Sequence, residues 1–262
     1  MRGRPVIALL TDFGNKDGYL ASMKGVLLTH CPDVQCVDIS HEIPPFAIGH
    51  AAATLLAVSR WFPRHTVFLC VVDPGVGTRR FAIAAHADEH YFVGPDNGLF
   101  APVLDKSKRR RIVRLTQSRY WMKPVSQTFH GRDIFAPVAA HLANRKPLSA
   151  LGTPTRWIQS LPAQELRRYG RLLIGRIVAI DHFGNLITNL PGNLISTSSR
   201  KKASIGYKRR TVPVVSSYAF AGPNNLSALV NSAGMIELVL RERSAAHVHQ
   251  ARIGDTVRCR LS

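Results

Sequence analysis

Acidic residues are scarce in this chain. Asp and Glu number 16 against 35 Lys and Arg, a formal net charge of +19 over 262 residues. So large an excess attracts anions and keeps nucleic acid open as a partner. Yet no helix-turn-helix, zinc-finger or RNA-binding signature accompanies the charge, and its clusters at residues 106–111, 200–202 and 208–210 lie beside polar or turn-forming residues, where solvated loops are the ordinary reading. Cysteine is rare too. Cys31, Cys36, Cys70 and Cys259 show no paired spacing and no Cys-x-x-Cys, which argues against a disulfide framework and a zinc site and favours a reducing cytoplasm. His30 and His41 near Cys31 and Cys36 match no common metal-ligand spacing, so neither a metal nor a further cofactor is expected. Long apolar runs are missing: nothing approaches a bilayer span, and residues 6–10 are too short a run for the core of a signal peptide.

With 45% hydrophobic residues the chain can nevertheless bury a substantial core. Its most informative stretch is Val71-Val72-Asp73-Pro74-Gly75-Val76-Gly77-Thr78-Arg79-Arg80. Residues 68–72 are continuously apolar, as in a strand covered on both faces of a parallel sheet, and the run stops at a carboxylate followed by Pro-Gly-x-Gly. That places Asp73 at the carboxyl end of a buried strand, the edge where ligand crevices form in open α/β sheets, with arginines a few residues on. It is not a phosphate-binding P-loop, because the glycines are too close together and no Gly-Lys-Ser/Thr follows. Taken alone, the decapeptide is equally a structural turn with surface arginines.

The surrounding chain favours a site. Residues 6–10 read as a first buried strand ending in Thr11-Asp12-Phe13-Gly14, and a helix is expected from Tyr19 to about Thr29. A strand over 36–39, an alanine-rich helix over 48–61 and the strand over 66–72 follow. This alternation predicts right-handed parallel βαβ units in a layered α/β domain with a mainly parallel sheet, and it makes Asp12 and Asp73 neighbours on one edge. Strands over 81–85, 91–93 and 112–115 continue the pattern. Gly94-Pro95-Asp96-Asn97-Gly98 reads as a turn. His130 falls in a loop before a helix over 134–142, with Asp133 expected to cap it. Residues 144–170, broken by prolines and glycines, are expected to be a linker. Beyond it short strands separated by turns predict a small β-barrel or sandwich. The expected domains are 1–165 and 166–262. In the second, Ile180-Asp181-His182-Phe183-Gly184-Asn185 and Asn231-Ser232-Ala233-Gly234 read by composition as turns.

Thr11-Asp12-Phe13-Gly14 with Asp17 and Met23-Lys24-Gly25, Val72 to Gly77, Gly94 to Gly98, Phe129-His130-Gly131-Arg132-Asp133, Ile180 to Asn185 and Asn231-Ser232 together resemble, in order and spacing, the S-adenosylmethionine (SAM) hydroxide adenosyltransferases. These SAM hydrolases are relatives of the fluorinase and chlorinase, which attack the same substrate with halide. The resemblance spans about residues 6 to 240. It implies an α/β N-terminal domain, a C-terminal β-barrel, and a homotrimer that binds substrate between subunits. It also implies catalytic roles for Asp73, Arg80 and His130. Asp12 would bind the ribose, Asp17 and Asp181 the methionine part, Asn185 the adenine, and Ser232 would lie near the methionine carboxylate. Tyr218 and Phe220 remain alternatives for the ring stacked on adenine.

Three departures from the halogenases favour water as nucleophile. Those enzymes lack the Asp of Asp73-Pro74-Gly75 and carry a long insertion where only residues 81–93 separate Arg80 from Gly94, and Gly131 stands where the fluorinase has its fluoride-contacting serine. The expected reaction is hydrolysis of SAM to adenosine and methionine. Because the sulfonium leaves as a neutral thioether, no acid is needed for the leaving group, and the demand is for an oriented, activated water. The other classes kept in view are a halogenase and a binding protein, for adenosine or nucleic acid, without turnover.

Overall fold

The computed structural model describes residues 3–161, 166–195 and 203–261. The chain divides into two compact units, Met1–Pro162 and Ala163–Ser262. The expected boundary at 165/166 and the basic cluster at 200–202 touch residues outside those described.

The first unit is built on a seven-stranded sheet in the order β2-β1-β3-β5-β4-β6-β7, where β1 is Val6–Thr11, β2 Gln35–Ser40, β3 Val67–Val71, β4 Ala82–Ala87, β5 His90–Pro95, β6 Arg110–Leu115 and β7 Gly152–Thr155. Strands β2, β1, β3 and β5 run parallel, as the βαβ reading requires. β4, β6 and β7 extend the sheet antiparallel. The unbroken apolar runs of β1 and β3 follow from burial on both faces. Ile7, Leu9, Val67, Leu69 and Val71 join one core with helices α1 (Tyr19–His30) and α4 (Ala136–Ala143). Ala8, Leu10, Phe68, Cys70 and Val72 face the other core, with α2 (Ile48–Val58) and α3 (Ala101–Lys106). The result is three layers, helices on sheet on helices.

Several local expectations need correction. Helix α3 was not foreseen, because six residues behind a turn carry too little periodicity to show. Within the expected linker, Gly152–Thr155 forms β7 on β6. Pro154 is tolerated there because β7 is an edge strand, and Gly152 is required because a Cβ would sit 1.8 Å from the Arg114 carbonyl oxygen. The short strand β8 (Arg167–Tyr169) also falls in that interval.

The second unit is a nearly closed antiparallel β-barrel with strand order β12-β11-β15-β9-β10-β14-β13, and β8 added to β9. Its strands are β9 Leu172–Ile180, β10 Leu186–Pro191, β11 Ala203–Tyr207, β12 Arg210–Val212, β13 Ser227–Val230, β14 Met235–Val239 and β15 Thr256–Leu261. A bridge from Val214, just beyond β12, to Ala228 in β13 brings the two ends of the path together. That closure decides between the barrel and the sandwich. Leu173, Ile177, Leu186, Ile205, Ile236 and Val257 are among the inward residues that fill it.

Candidate active site

The parallel register aligns Thr11 with Val71, so β1 and β3 end together and release Asp12 and Asp73 at one edge of the sheet. Asn97 secures this edge. Its side-chain amide donates to the Val72 carbonyl at 2.8 Å and its oxygen accepts from Leu99 N–H, so the Asp96-Asn97-Gly98 turn holds the backbone just before Asp73.

Asp73 is 5% exposed and Arg80 11% at the side chain. Arg80 Nε donates to Asp73 Oδ1 at 2.9 Å and Nη2 to Oδ2 at 2.5 Å, a fork-to-fork pair. The same Nη2 donates to His130 Nδ1 at 2.8 Å. Because Arg80 has no acceptor, Nδ1 must be unprotonated, and the neutral imidazole carries its proton on Nε2. Burial, reinforced by the Arg80 charge, holds His130 below the usual histidine value, and Asp73 and Asp133 only partly oppose this. The Phe135 ring lies 5.3 Å from the guanidinium carbon and adds a cation–π contact. Three side chains from two separate loops thus form one hydrogen-bonded unit.

Glycine allows those loops to meet. Gly77 has φ +77°, and a Cβ there would stand 2.6 Å from the Gln127 carbonyl oxygen. His130 then leads into a π-helical turn, Gly131–Phe135, ahead of α4, a distortion frequent at functional sites. Asp133 does not cap this helix as expected. It is 1% exposed, accepts from Ser126 N–H at 2.7 Å, and binds Arg132 Nε at 2.6 Å. Its carboxylate therefore folds the preceding loop back onto the turn instead of closing a helix end. At Gly131 a Cβ would meet Met23 Sδ at 3.2 Å and Phe129 Cε2 at 3.3 Å, so this position has little space for a side chain.

Asp12 accepts from Phe46 N–H at 2.9 Å, which ties the β1 edge to the loop after β2. Behind it, Thr11 Oγ1 lies 2.8 Å from Nδ1 of the buried His41, whose Nε2 is 3.1 Å from Asp38 Oδ1. Lys24 Nζ reaches the other Asp38 oxygen at 2.6 Å. Asp17 is exposed, two residues before α1. Phe13, Tyr19 and Phe129 form an aromatic trio with centroid separations of 5.3–5.9 Å. The sequence reading gave these three rings no role, although each stands next to a motif residue. That adjacency was the available signal.

In the barrel, Asp181 organises the β9–β10 turn. Its Oδ1 accepts from the Phe183 and Asn185 N–H groups at 3.0 and 2.8 Å, and Oδ2 accepts from Asn185 Nδ2 at 2.9 Å. The turn reading of this motif holds, and the same bonds fix both side chains. Tyr218 opens a single 3₁₀ turn, Tyr218–Phe220, and donates its hydroxyl to Glu237 Oε1 at 3.0 Å. Burial, with the neighbouring Glu237 charge, pushes the Tyr218 hydroxyl up to about 12. Glu237, 2% exposed, is itself raised by burial, although hydrogen bonds from Asn231 and Tyr218 oppose the shift. Sequence reasoning missed Glu237 because it lies within a strand otherwise apolar and carries no motif. Asn231 Oδ1 accepts from Ala233 and Met235 N–H at 3.0 Å each and so shapes the turn that presents the exposed Ser232. Phe220 is 71% exposed.

Among the described residues no group of three or more His, Cys, Asp or Glu is arranged to hold a metal ion. No helix among them is long and apolar enough to cross a membrane.

An α/β unit with an acid, a guanidinium and a neutral imidazole joined beside the end of β3, followed by an antiparallel barrel, defines the class: a two-domain protein with a candidate site for polar chemistry. Comparison with known proteins narrows this. The SAM hydroxide adenosyltransferase N-terminal domain matches residues 7–152, and the C-terminal domain of the same family matches residues 175–258. The chain belongs to the SAM hydroxide adenosyltransferase family. It is 36% identical to the (R)-S-adenosyl-L-methionine hydrolase of Salinispora tropica, over 98% of each chain. It is 27% identical to a fluorinase of an Actinoplanes species, over 97% of each. A crystal structure of an uncharacterised conserved protein from Thermotoga maritima superposes with a TM-score of 0.88 at 33% identity, covering 97% of this chain and 99% of that one.

Proposed function

We infer that the protein hydrolyses S-adenosyl-L-methionine to adenosine and L-methionine, with water attacking C5′ of the ribose. The observation that carries the assignment of residues is the hydrogen-bonded Asp73–Arg80–His130 unit. A guanidinium has five N–H donors. Arg80 directs three hydrogen bonds at Asp73 and His130, and Nη1 approaches the Phe81 carbonyl at 3.5 Å, which leaves a donor to polarise a water. Asp73 keeps unused lone pairs to accept the proton released as the C–O bond forms. His130, with its proton on Nε2, orients the water oxygen. The C5′–S bond breaks with its electron pair going to sulfur, and methionine leaves as a neutral thioether. Placement in line accounts for several kcal/mol of such a reaction, and proton acceptance for about a hundredfold or more.

Asp12 holds the ribose, Asp17 the methionine amino group, Asp181 makes a further contact to the methionine part, Asn185 binds the adenine, and Ser232 lies near the methionine carboxylate. Tyr218 is the stacking ring in this reading, because its hydroxyl bond to Glu237 fixes it, whereas Phe220 has no hydroxyl to bond and is largely exposed. The family resemblance further supports a homotrimer with substrate between subunits, and the free thiols Cys31, Cys36, Cys70 and Cys259 support a cytoplasmic setting. The cramped surroundings of Gly131 favour water over a halide held by a side chain at that position.

The test is incubation with each sulfonium epimer of SAM in chloride-free and chloride-containing buffer, with chromatographic detection of products. Adenosine and methionine in both buffers, from the (R) epimer in preference, is the expected result. A 5′-chloro nucleoside formed only with chloride makes the protein a halogenase, and no product from either epimer refutes turnover. Light scattering tests the trimer independently.

A further inference from the structure

The strand register of the barrel assembles a basic face that the proposed reaction does not use. Across β8, β9, β15 and β11, one row of paired residues is Arg167, Ile174, Arg258 and Gly206. The next row is Tyr169, Leu172, Arg260 and Ser204, and a third pairs Arg176 with Thr256. The residues between these rows, Leu173, Ile205, Tyr207, Val257 and Cys259, are the buried lining of the barrel, so the rows themselves face outward. Arg167, Arg176, Arg258 and Arg260 are exposed and no row contains a carboxylate. The unit's described carboxylates lie elsewhere. Asp181 and Glu237 belong to the cluster around Tyr218, Asp255 accepts from Tyr207 at 2.7 Å, and Glu242 follows β14.

No two of these arginines stand directly opposite each other on adjacent strands, so the rows carry spaced positive charge across the face. Among the described residues no carboxylate pairs with Arg171, Arg258 or Arg260. At the β8 edge an open cleft of about 500 Å³ is lined by Tyr169, Arg171, Leu172, Arg260 and Leu261. Two arginines therefore line the same cleft as an aromatic ring that is 59% exposed. The combination of a ring with a flat face and fixed cations beside it is how sheet surfaces take up unpaired nucleotides, with bases stacked and phosphates neutralised. Along β15, Arg258 and Arg260 stand roughly 7 Å apart, and the face from β8 to β12 is roughly 19 Å wide, enough for several nucleotides of an extended strand.

We propose that this outer face of the barrel, with Tyr169, Arg171, Arg258 and Arg260 at its centre, binds single-stranded nucleic acid. A duplex fits less well, since its paired and stacked bases offer Tyr169 no free face to meet. None of these residues has a part in the proposed SAM chemistry, and the proposal does not depend on it.

The test is fluorescence anisotropy of the whole protein with a labelled oligouridylate of about 16 nucleotides, titrated at salt from about 50 to 200 mM. With about four phosphates neutralised, the slope of log K against log salt is about −3. Arg258→Glu/Arg260→Glu flattens that slope by about 1.4. Tyr169→Ala weakens binding roughly tenfold or more, and Tyr169→Phe restores it. Lys108→Glu/Arg109→Glu, the same charge change on the first unit, leaves affinity at the parent value. Arg258→Gln/Arg260→Gln gives a milder pair should the double reversal melt early. No binding at low salt, equal loss in the Lys108/Arg109 control, or binding of duplex or heparin that ignores Tyr169→Ala overturns the proposal.

Discussion

Replacement of Asp73 by Asn separates the structural and chemical duties of the paired unit. Asn keeps the shape and one acceptor oxygen, but it sets an NH₂ against one of the two Arg80 donors that now reach Oδ1 and Oδ2. One charge-assisted bond is lost, worth about 1.5–3 kcal/mol. The Arg80 charge, 11% exposed, also loses its counter-ion. Breaking a buried pair from one side costs about 3–5 kcal/mol, and the partial exposure and remaining oxygen place this case near the lower end, at about 3 kcal/mol. For a unit of this size that corresponds to a fall in Tm of roughly 6–12 °C, measured by calorimetry. Turnover, followed chromatographically, falls by roughly 10²–10⁴. The double variant Asp73→Asn/Arg80→Gln removes the stranded charge, so it recovers much of the Tm and none of the turnover. An Asn variant with parental Tm and parental turnover would refute both the energetic and the catalytic reasoning.

Four further outcomes follow from the structure. Burial holds His50, His86, His90, His130 and His141 below the ordinary histidine value. Between their depressed values and about 6.5 the unfolded chain binds protons that the folded chain refuses, so these histidines make Tm fall as pH drops through that window and contribute no slope above it. Turnover has an acidic limb below the ordinary histidine value, where protonation of Nδ1 breaks the Arg80–His130 bond, and Asp73→Asn moves that limb lower because it removes a charge that favours the imidazolium. Gly77→Ala destabilises by more than about 1 kcal/mol, since φ is +77° and the new Cβ meets the Gln127 carbonyl at 2.6 Å, and chemical denaturation measures it. Tyr218→Phe keeps the ring and frees Glu237 of one donor, so KM rises several-fold with kcat nearly unchanged, whereas Phe220→Ala leaves KM close to parental. The reverse ranking in steady-state kinetics assigns the stacking role to Phe220.

Much of the architecture could be read before any coordinates, because it rests on local pattern. The unbroken apolar runs at β1 and β3 announce strands covered on both faces, and alternation with helical spacing at α1 and α2 announces parallel crossovers. From these alone Asp12 and Asp73 belong on one edge, and the Thr11 to Val71 register bears this out. Elements without a strong period were not legible: α3 is too short, and β7 is disguised by a proline that only an edge strand tolerates. The motifs likewise nominated Arg80 and His130, but which nitrogen of the imidazole is free depends on a 2.8 Å contact across fifty residues of sequence. Asp133 carries the composition of a helix cap, and tertiary burial turned it into a loop anchor. Glu237 and the aromatic trio Phe13, Tyr19 and Phe129 acquire meaning only from side chains brought together by separate elements. So it is with the charge. The sequence by itself determined that the chain is strongly basic, and only the barrel's pairing register put Arg258 and Arg260 beside Arg171 and Tyr169 on one outward face, because a period of two is silent about which strand lies next to which.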